Sequence, residues 1–250
     1  MLLEKELVAI NENPPSLHEI LVENCPTLIL LPKLESLINK EEPTLEDVLT
    51  TCAHDESLLT KLTRRSGFVG NEEQFARDIL FKKGLGFLKS LAIRTMNQEI
   101  FELPLGLNGM STHLIKRRSV ILARFLKRFV GDLDREPDDL YLAGLLYNYP
   151  YVTYEHMLKL GSFSNQDFDE VRGDCIEMTC SSLHEINVEP YVVGMIEDSV
   201  SDLYETRNPF EHALLRIANE VLERAEQSNS TLGRGTVSYT HLTLPTTTIV

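Results

Sequence analysis

Apolar residues recur at three- and four-residue intervals along most of this chain, and no stretch alternates apolar with polar at the two-residue period of a half-buried strand. The pattern predicts an all-α protein. Helix starts are marked by chemistry as well as by period. Thr44 is placed to cap a helix over Leu45 to Ala53, with Asp47 three residues on, and Asp55 is placed to cap the next segment. Pro137-Asp138 and Asn208-Pro209 open two more. In the second, Asn208 can accept orphan amide protons, Pro209 suits the first turn, and Glu211 complements the positive helix end. That helix is predicted to run to about Ala225.

Two breaks interrupt the periodicity. Leu103 to Gly109 (LPLGLNG) carries a proline and two glycines, and Gly131 to Asp139 (GDLDREPDD) is acidic and turn-rich. The first is read as a lobe boundary and the second as a loop. The expected organisation is two-lobed: an N-terminal helical lobe over residues 1–109, a helical bundle over 110–227, and a tail over 228–250. From about Ser228 helical periodicity gives way to a Ser- and Thr-rich stretch. Its end, VSYTHLTLPTTTIV, looks like translated sequencing-adapter read-through. The tail is therefore expected to be disordered or artefactual and is set aside.

With 250 residues and 42% hydrophobic content the chain can bury a substantial core without staples. No apolar run approaches the ~20 residues that span a bilayer. The start, MLLEKE, lacks the basic-then-apolar order of a secretory signal, so a cytoplasmic location is expected. A net charge of −14 opposes general nucleic-acid binding, which needs cations to neutralise phosphates. Cys25, Cys52, Cys175 and Cys180 do not have zinc-clip spacing and read as buried thiols, although Cys175 and Cys180 are near enough in sequence to leave a bridge or redox role open.

Several segments together resemble one family. Leu31-Pro32, read as lying before a helix, is followed by a Leu45 to Asp47 helix start, an acidic start at Asp55 to Leu58, and Ser66 to Gly70 with a small residue, an aromatic and glycine. Gly84 to Leu91 (GLGFLKSL) follows. These resemble, over roughly residues 20 to 226, the HDOD proteins, signal-output domains related to metal-dependent HD hydrolases. The resemblance implies a bacterial regulatory protein whose second lobe is an HD-like helical bundle, acting beside receiver, kinase or cyclic-dinucleotide modules.

It also implies that the metal-ligand positions are degenerate. Tyr147 and Asn148 follow Gly144-Leu145-Leu146 where the enzymes carry His-Asp, and Arg118 falls where a first His would stand. Cys175, the pair Glu197-Asp198, and Asn219 align with the remaining ligands. A phenol, an amide and a fixed cation are poor partners for a divalent metal. No cofactor, no bound metal and no catalysis are expected. Arg118 is expected to fill the vacated metal position and pair with Glu197 or Asp198; the competing reading has it extending to solvent.

The seven histidines are isolated, without an i, i+4 pair, and read as surface or helix-end residues. His54-Asp55 is a literal His-Asp dipeptide but lies in the first lobe. The sharpest positive feature is the basic segment from His113 to Phe129. Leu114, Ile121, Phe125 and Phe129 give it a predicted inner face, on which Arg118 also falls, and Lys116, Arg117, Arg124, Lys127 and Arg128 supply cations. Those cations are either a solvated face or a surface for an acidic partner or a nucleotide phosphate. Phosphate-cradling and nucleophile-elbow motifs are absent. The function expected is non-catalytic signal output through protein contacts. The rivals are a nucleotide-sensing pseudo-hydrolase and a metal-dependent phosphohydrolase or cyclic-dinucleotide phosphodiesterase. Partner, signal and oligomeric state stay open.

Overall fold

The computed structural model describes residues 16–53, 56–101, 112–129, 135–163, 166–200 and 206–231. Within them the chain is helical, with no strand. The first helices are α1 (Leu17–Asn24), α2 (Pro26–Ile38), α3 (Leu45–Cys52), α4 (Glu56–Arg65) and α5 (Glu72–Asp78). A π turn over Ile79–Lys83 leads into α6 (Leu85–Glu99). The chain continues with α7 (Thr112–Lys127), α8 (Pro137–Leu146), α9 (Pro150–Lys159), α10 (Phe168–Glu185), α11 (Pro190–Glu197), a 3-10 turn over Asp198–Val200, and α12 (Pro209–Thr231). No helix among the described residues is long and apolar enough to cross a membrane.

Local chemistry sets the helix starts. Thr44 Oγ1 accepts from the Asp47 amide at 3.2 Å while Asp47 accepts from the Thr44 amide at 2.8 Å, a reciprocal cap that also draws in Lys40. That hydrogen bond from Lys40, with those from Thr44, holds the Asp47 carboxyl well below its usual range. Ser16 with Glu19, Asn71 with Gln74, and Asp167 with Glu170 form the same device. Pro137 and Pro209 occupy first turns, where a missing N–H costs nothing. Asn208 departs from expectation: its carbonyl accepts from the His212 amide, but its side-chain oxygen accepts from Arg135 at 3.2 Å. Gly84, at φ 83°, closes the π turn through its amide on the Ile79 carbonyl at 2.7 Å, a conformation open to glycine.

Three expectations need correction. Pro32 does not precede a helix but sits inside α2, which continues past it because Leu28, Leu31, Leu34 and Leu37 bury one face. α12 extends beyond Ala225 to Thr231. The inner face of α7 is built by Ile115, Leu122 and Leu126 with Ser119 and Ala123, whereas Ile121 is exposed and Leu114, Phe125 and Phe129 are half-buried. The two stripes share one spacing and differ by a one-residue rotation, and close packing decides between them. α7 packs closely on α8, where a Cβ on Gly144 would stand 2.6 Å from Ala123 Cα. Only the face with small residues admits that approach.

α2 packs on α6, α9 on α10, α11 on α8, α12 on α7 and α1 on α10. The expected lobe boundary at Leu103 to Gly109 lies outside the described residues, as do His54, Asp55 and residues 232–250. Buried apolar residues on both sides of it, from Leu17 to Leu215, belong to one continuous core. All four cysteines are free and buried, and burial pushes the Cys52 and Cys180 thiols up to about 12.

Candidate functional site

The turn that leaves α8 carries Tyr147 and Asn148 into a cavity of about 480 Å³. Tyr151 of α9 and Phe168 and Arg172 of α10 form one side; Arg216, Asn219 and Glu223 of α12 form another. The 3-10 turn after α11 closes an edge with Ser199 and Val200. Tyr151 and Phe168 stack, their centroids 3.8 Å apart. Burial pushes the Tyr147 phenol up to about 12, with Arg172 and Arg216 pulling it down and Glu223 opposing them. Tyr151 is raised for the same first reason. Both phenols stay neutral at physiological pH.

Arg118 stands behind this wall. It is buried on α7, and its guanidinium donates from Nε to Glu226 at 2.7 Å, from Nη2 to the same oxygen, and from Nη1 to Glu223 at 3.4 Å. Glu223 also accepts from the Asn219 amide at 3.0 Å. The partners expected from sequence were Glu197 and Asp198. Those face elsewhere: Glu197 pairs with Arg207 at 3.2 Å and with His184 at 3.4 Å, and Asp198 accepts from the Arg207 amide at 3.1 Å. α12 supplies the acids because its inner stripe, Leu215, Asn219, Glu223 and Glu226, changes from apolar to acidic as it passes α7.

No family model, curated protein or solved structure matches this chain.

Of the positions that the sequence resemblance implied as former metal ligands, Tyr147, Asn148 and Asn219 line the cavity, and Arg118 reaches it through Glu223. Cys175, Glu197 and Asp198 do not line it. Cys175 packs with Tyr154 and Val171 in a small separate core, its thiol pushed up to about 12 by burial. On those helices Arg172 and Ile176, and Ser199 and Val200, face the cavity instead. These donors do not fit a divalent metal: a neutral phenol, amides and guanidiniums offer little negative charge, and the two carboxylates, Glu220 and Glu223, are already held by Arg224 and by Arg118 with Asn219. Among the described residues no cluster of three or more His, Cys, Asp and Glu could hold a metal ion.

Sequence reasoning passed over Arg172, Arg216 and Tyr151. The available signal was faint: single cations within the acidic run DEVRGD and the apolar run ALLRIAN. His212, read as a surface or helix-end residue, lies near the start of α12 but is fully buried, with neither ring nitrogen hydrogen-bonded among the described residues. Burial lowers its pKa, Asp198 raises it, and Arg216 and Arg172 lower it further.

The cations of α7 divide into two groups. Lys127 donates to Asp138 at 3.0 Å and lies 5.8 Å from the Tyr141 ring centre. Arg117, Arg124 and Arg128 are exposed, lie at i, i+7 and i+11, and have no ion-pair partner among the described residues; Lys116 is half-buried beside them. Ile121 surfaces within their stripe.

Proposed function

We propose that this chain is a non-catalytic signal-output module of the HDOD type, acting through protein contacts in a bacterial cytoplasm, with partners among receiver, kinase or cyclic-dinucleotide modules. One observation carries the reading. The Arg118 guanidinium is buried and clamped by Glu223 and Glu226, and the sequence resemblance aligns this residue with a metal-binding imidazole of the HD pattern. A permanent cation there repels a divalent ion and supplies no general base. The exposed stripe of Arg117, Ile121, Arg124 and Arg128 suits an acidic partner surface, since unpaired arginines around an apolar residue combine steering with burial.

The test is metal analysis of purified protein with a generic phosphodiesterase assay, joined to a two-hybrid screen against the three partner classes. The expected result is no stoichiometric Fe, Mn, Zn or Mg, no cleavage, and a specific partner lost on Arg117→Glu/Arg124→Glu. Near one tightly bound metal per chain, with hydrolysis abolished by a chelator, overturns the reading.

A further inference from the structure

The cavity beside Tyr147 has an uneven charge economy. Its two acids are engaged by other groups: Glu223 accepts from Arg118 and Asn219, and Glu220 from Arg224. Its two arginines have no carboxylate partner among the described residues. Arg172 makes one long hydrogen bond, 3.4 Å to the Ser199 carbonyl, and Arg216 is exposed and unpaired. Both line the cavity together with Tyr147.

A second observation is independent of charge. Asn148, only 3% exposed, lines this cavity, and its Nδ2 donor has no partner among the described residues. The Asn219 Oδ1 acceptor is likewise buried and unpartnered. Buried polar atoms are nearly always satisfied, so an orphan donor and an orphan acceptor on two residues that line one cavity point to a molecule toward which these side-chain amides turn when it binds.

We propose that this cavity binds a small aromatic phosphate monoester. The phosphate takes the forks of Arg172 and Arg216, the polar body meets Asn148 and Asn219, and the ring lies along Tyr151 and Phe168. A phosphate monoester fits better than a carboxylate. Its charge of about −1.5 to −2 is matched by two guanidiniums, and it offers three acceptor oxygens to their planar donors. A monoanion gains less beside Glu220 and Glu223. The volume accommodates a ligand of mononucleotide size.

The inference does not depend on the output reading, because binding is measured on the purified chain alone. Calorimetry and thermal melts of the full chain are run with inorganic phosphate, phenyl phosphate and adenosine monophosphate, with adenosine and citrate as controls. Phenyl phosphate or adenosine monophosphate is expected to bind, more tightly than inorganic phosphate, and raise the melting temperature while adenosine and citrate do not. Arg216→Gln should weaken that binding by about tenfold or more without moving the unliganded melting temperature, since its side chain is exposed and unpaired. Asn148→Leu should weaken binding while leaving the unliganded protein equally or more stable, because it removes an orphan donor that a purely structural asparagine would need. Absence of binding by both phenyl phosphate and adenosine monophosphate at millimolar concentration, binding of inorganic phosphate as tight as theirs, equal binding by citrate, or binding unaffected by Arg216→Gln would each overturn the proposal.

Discussion

Replacing Arg118 with alanine tests whether the ion pair between α7 and α12 holds the fold. The Arg118 side chain is 7% exposed, while Glu223 and Glu226 keep 36% and 25%. Removing one partner of a buried pair costs about 3–5 kcal/mol, and of an exposed pair about 0.2–1 kcal/mol. Here the cation is buried but water reaches both carboxylates and can resolvate them, so the loss falls between those limits. The expected cost is about 2–3 kcal/mol, part of it lost packing of the arginine stem. At about 2–4 °C per kcal/mol for a chain of this size, the melting temperature falls by about 5–10 °C. Urea melts of Arg118→Ala, Glu226→Gln and the double variant give the pairwise term, expected above about 1 kcal/mol. The guanidinium donates to Glu226 from two nitrogens, so Arg118→Lys should recover only part of the loss. Arg118→Ala within about 0.5 kcal/mol of the parent protein, the range of an ordinary surface change, would refute the clamp.

Gly144→Ala should destabilise by about 1–3 kcal/mol despite alanine's better helix propensity, because the added Cβ meets backbone atoms of Ala123 and Leu122 that cannot rotate away; a stabilised variant in denaturant melts would show that α7 and α8 are not held so closely. The contribution of His212 to stability should be flat in pH above the ordinary histidine pKa of about 6.5 and fall below it. His212 has a lowered folded pKa, so the unfolded chain takes up the proton first as pH drops. His212→Gln should flatten that part of the pH profile of urea midpoints, and an unchanged slope would remove His212 as its source.

What could be read from the sequence was what is local. The Thr44–Asp47 cap and the proline starts of α8 and α12 depend on residues within one turn, and the structure reproduces them. The inner face of α7 could not be read in the same way. Leu114, Ile121 and Phe125 have the same spacing as Ile115, Leu122 and Leu126, and the choice rests on Ser119 and Ala123, which carry little hydrophobic signal but allow Gly144 to approach. The partners of Arg118 were harder still, because Glu223 and Glu226 lie more than a hundred residues away. A basic residue on an apolar stripe shows that a counter-charge is required, and nothing in its neighbourhood says which acid arrives.

The long-range pair also explains how α12 is held. Its inner stripe begins with Leu214, Leu215, Ala218 and Leu222 against the core, but only Leu215 is fully buried, and Ile217 and Val221 face outward. Apolar burial therefore fixes the first half of the helix more firmly than the second. Beyond Leu222 the inward positions are Glu223 and Glu226, which would have no reason to face α7 without Arg118 opposite them. A half-buried ion pair adds modest net stability, but it has strict geometry, because any other rotation of α12 would leave the guanidinium buried without a counter-charge. Since Asn219 is tied to Glu223 and lines the cavity beside Arg216, the same pair sets the position of the cavity wall that α12 provides.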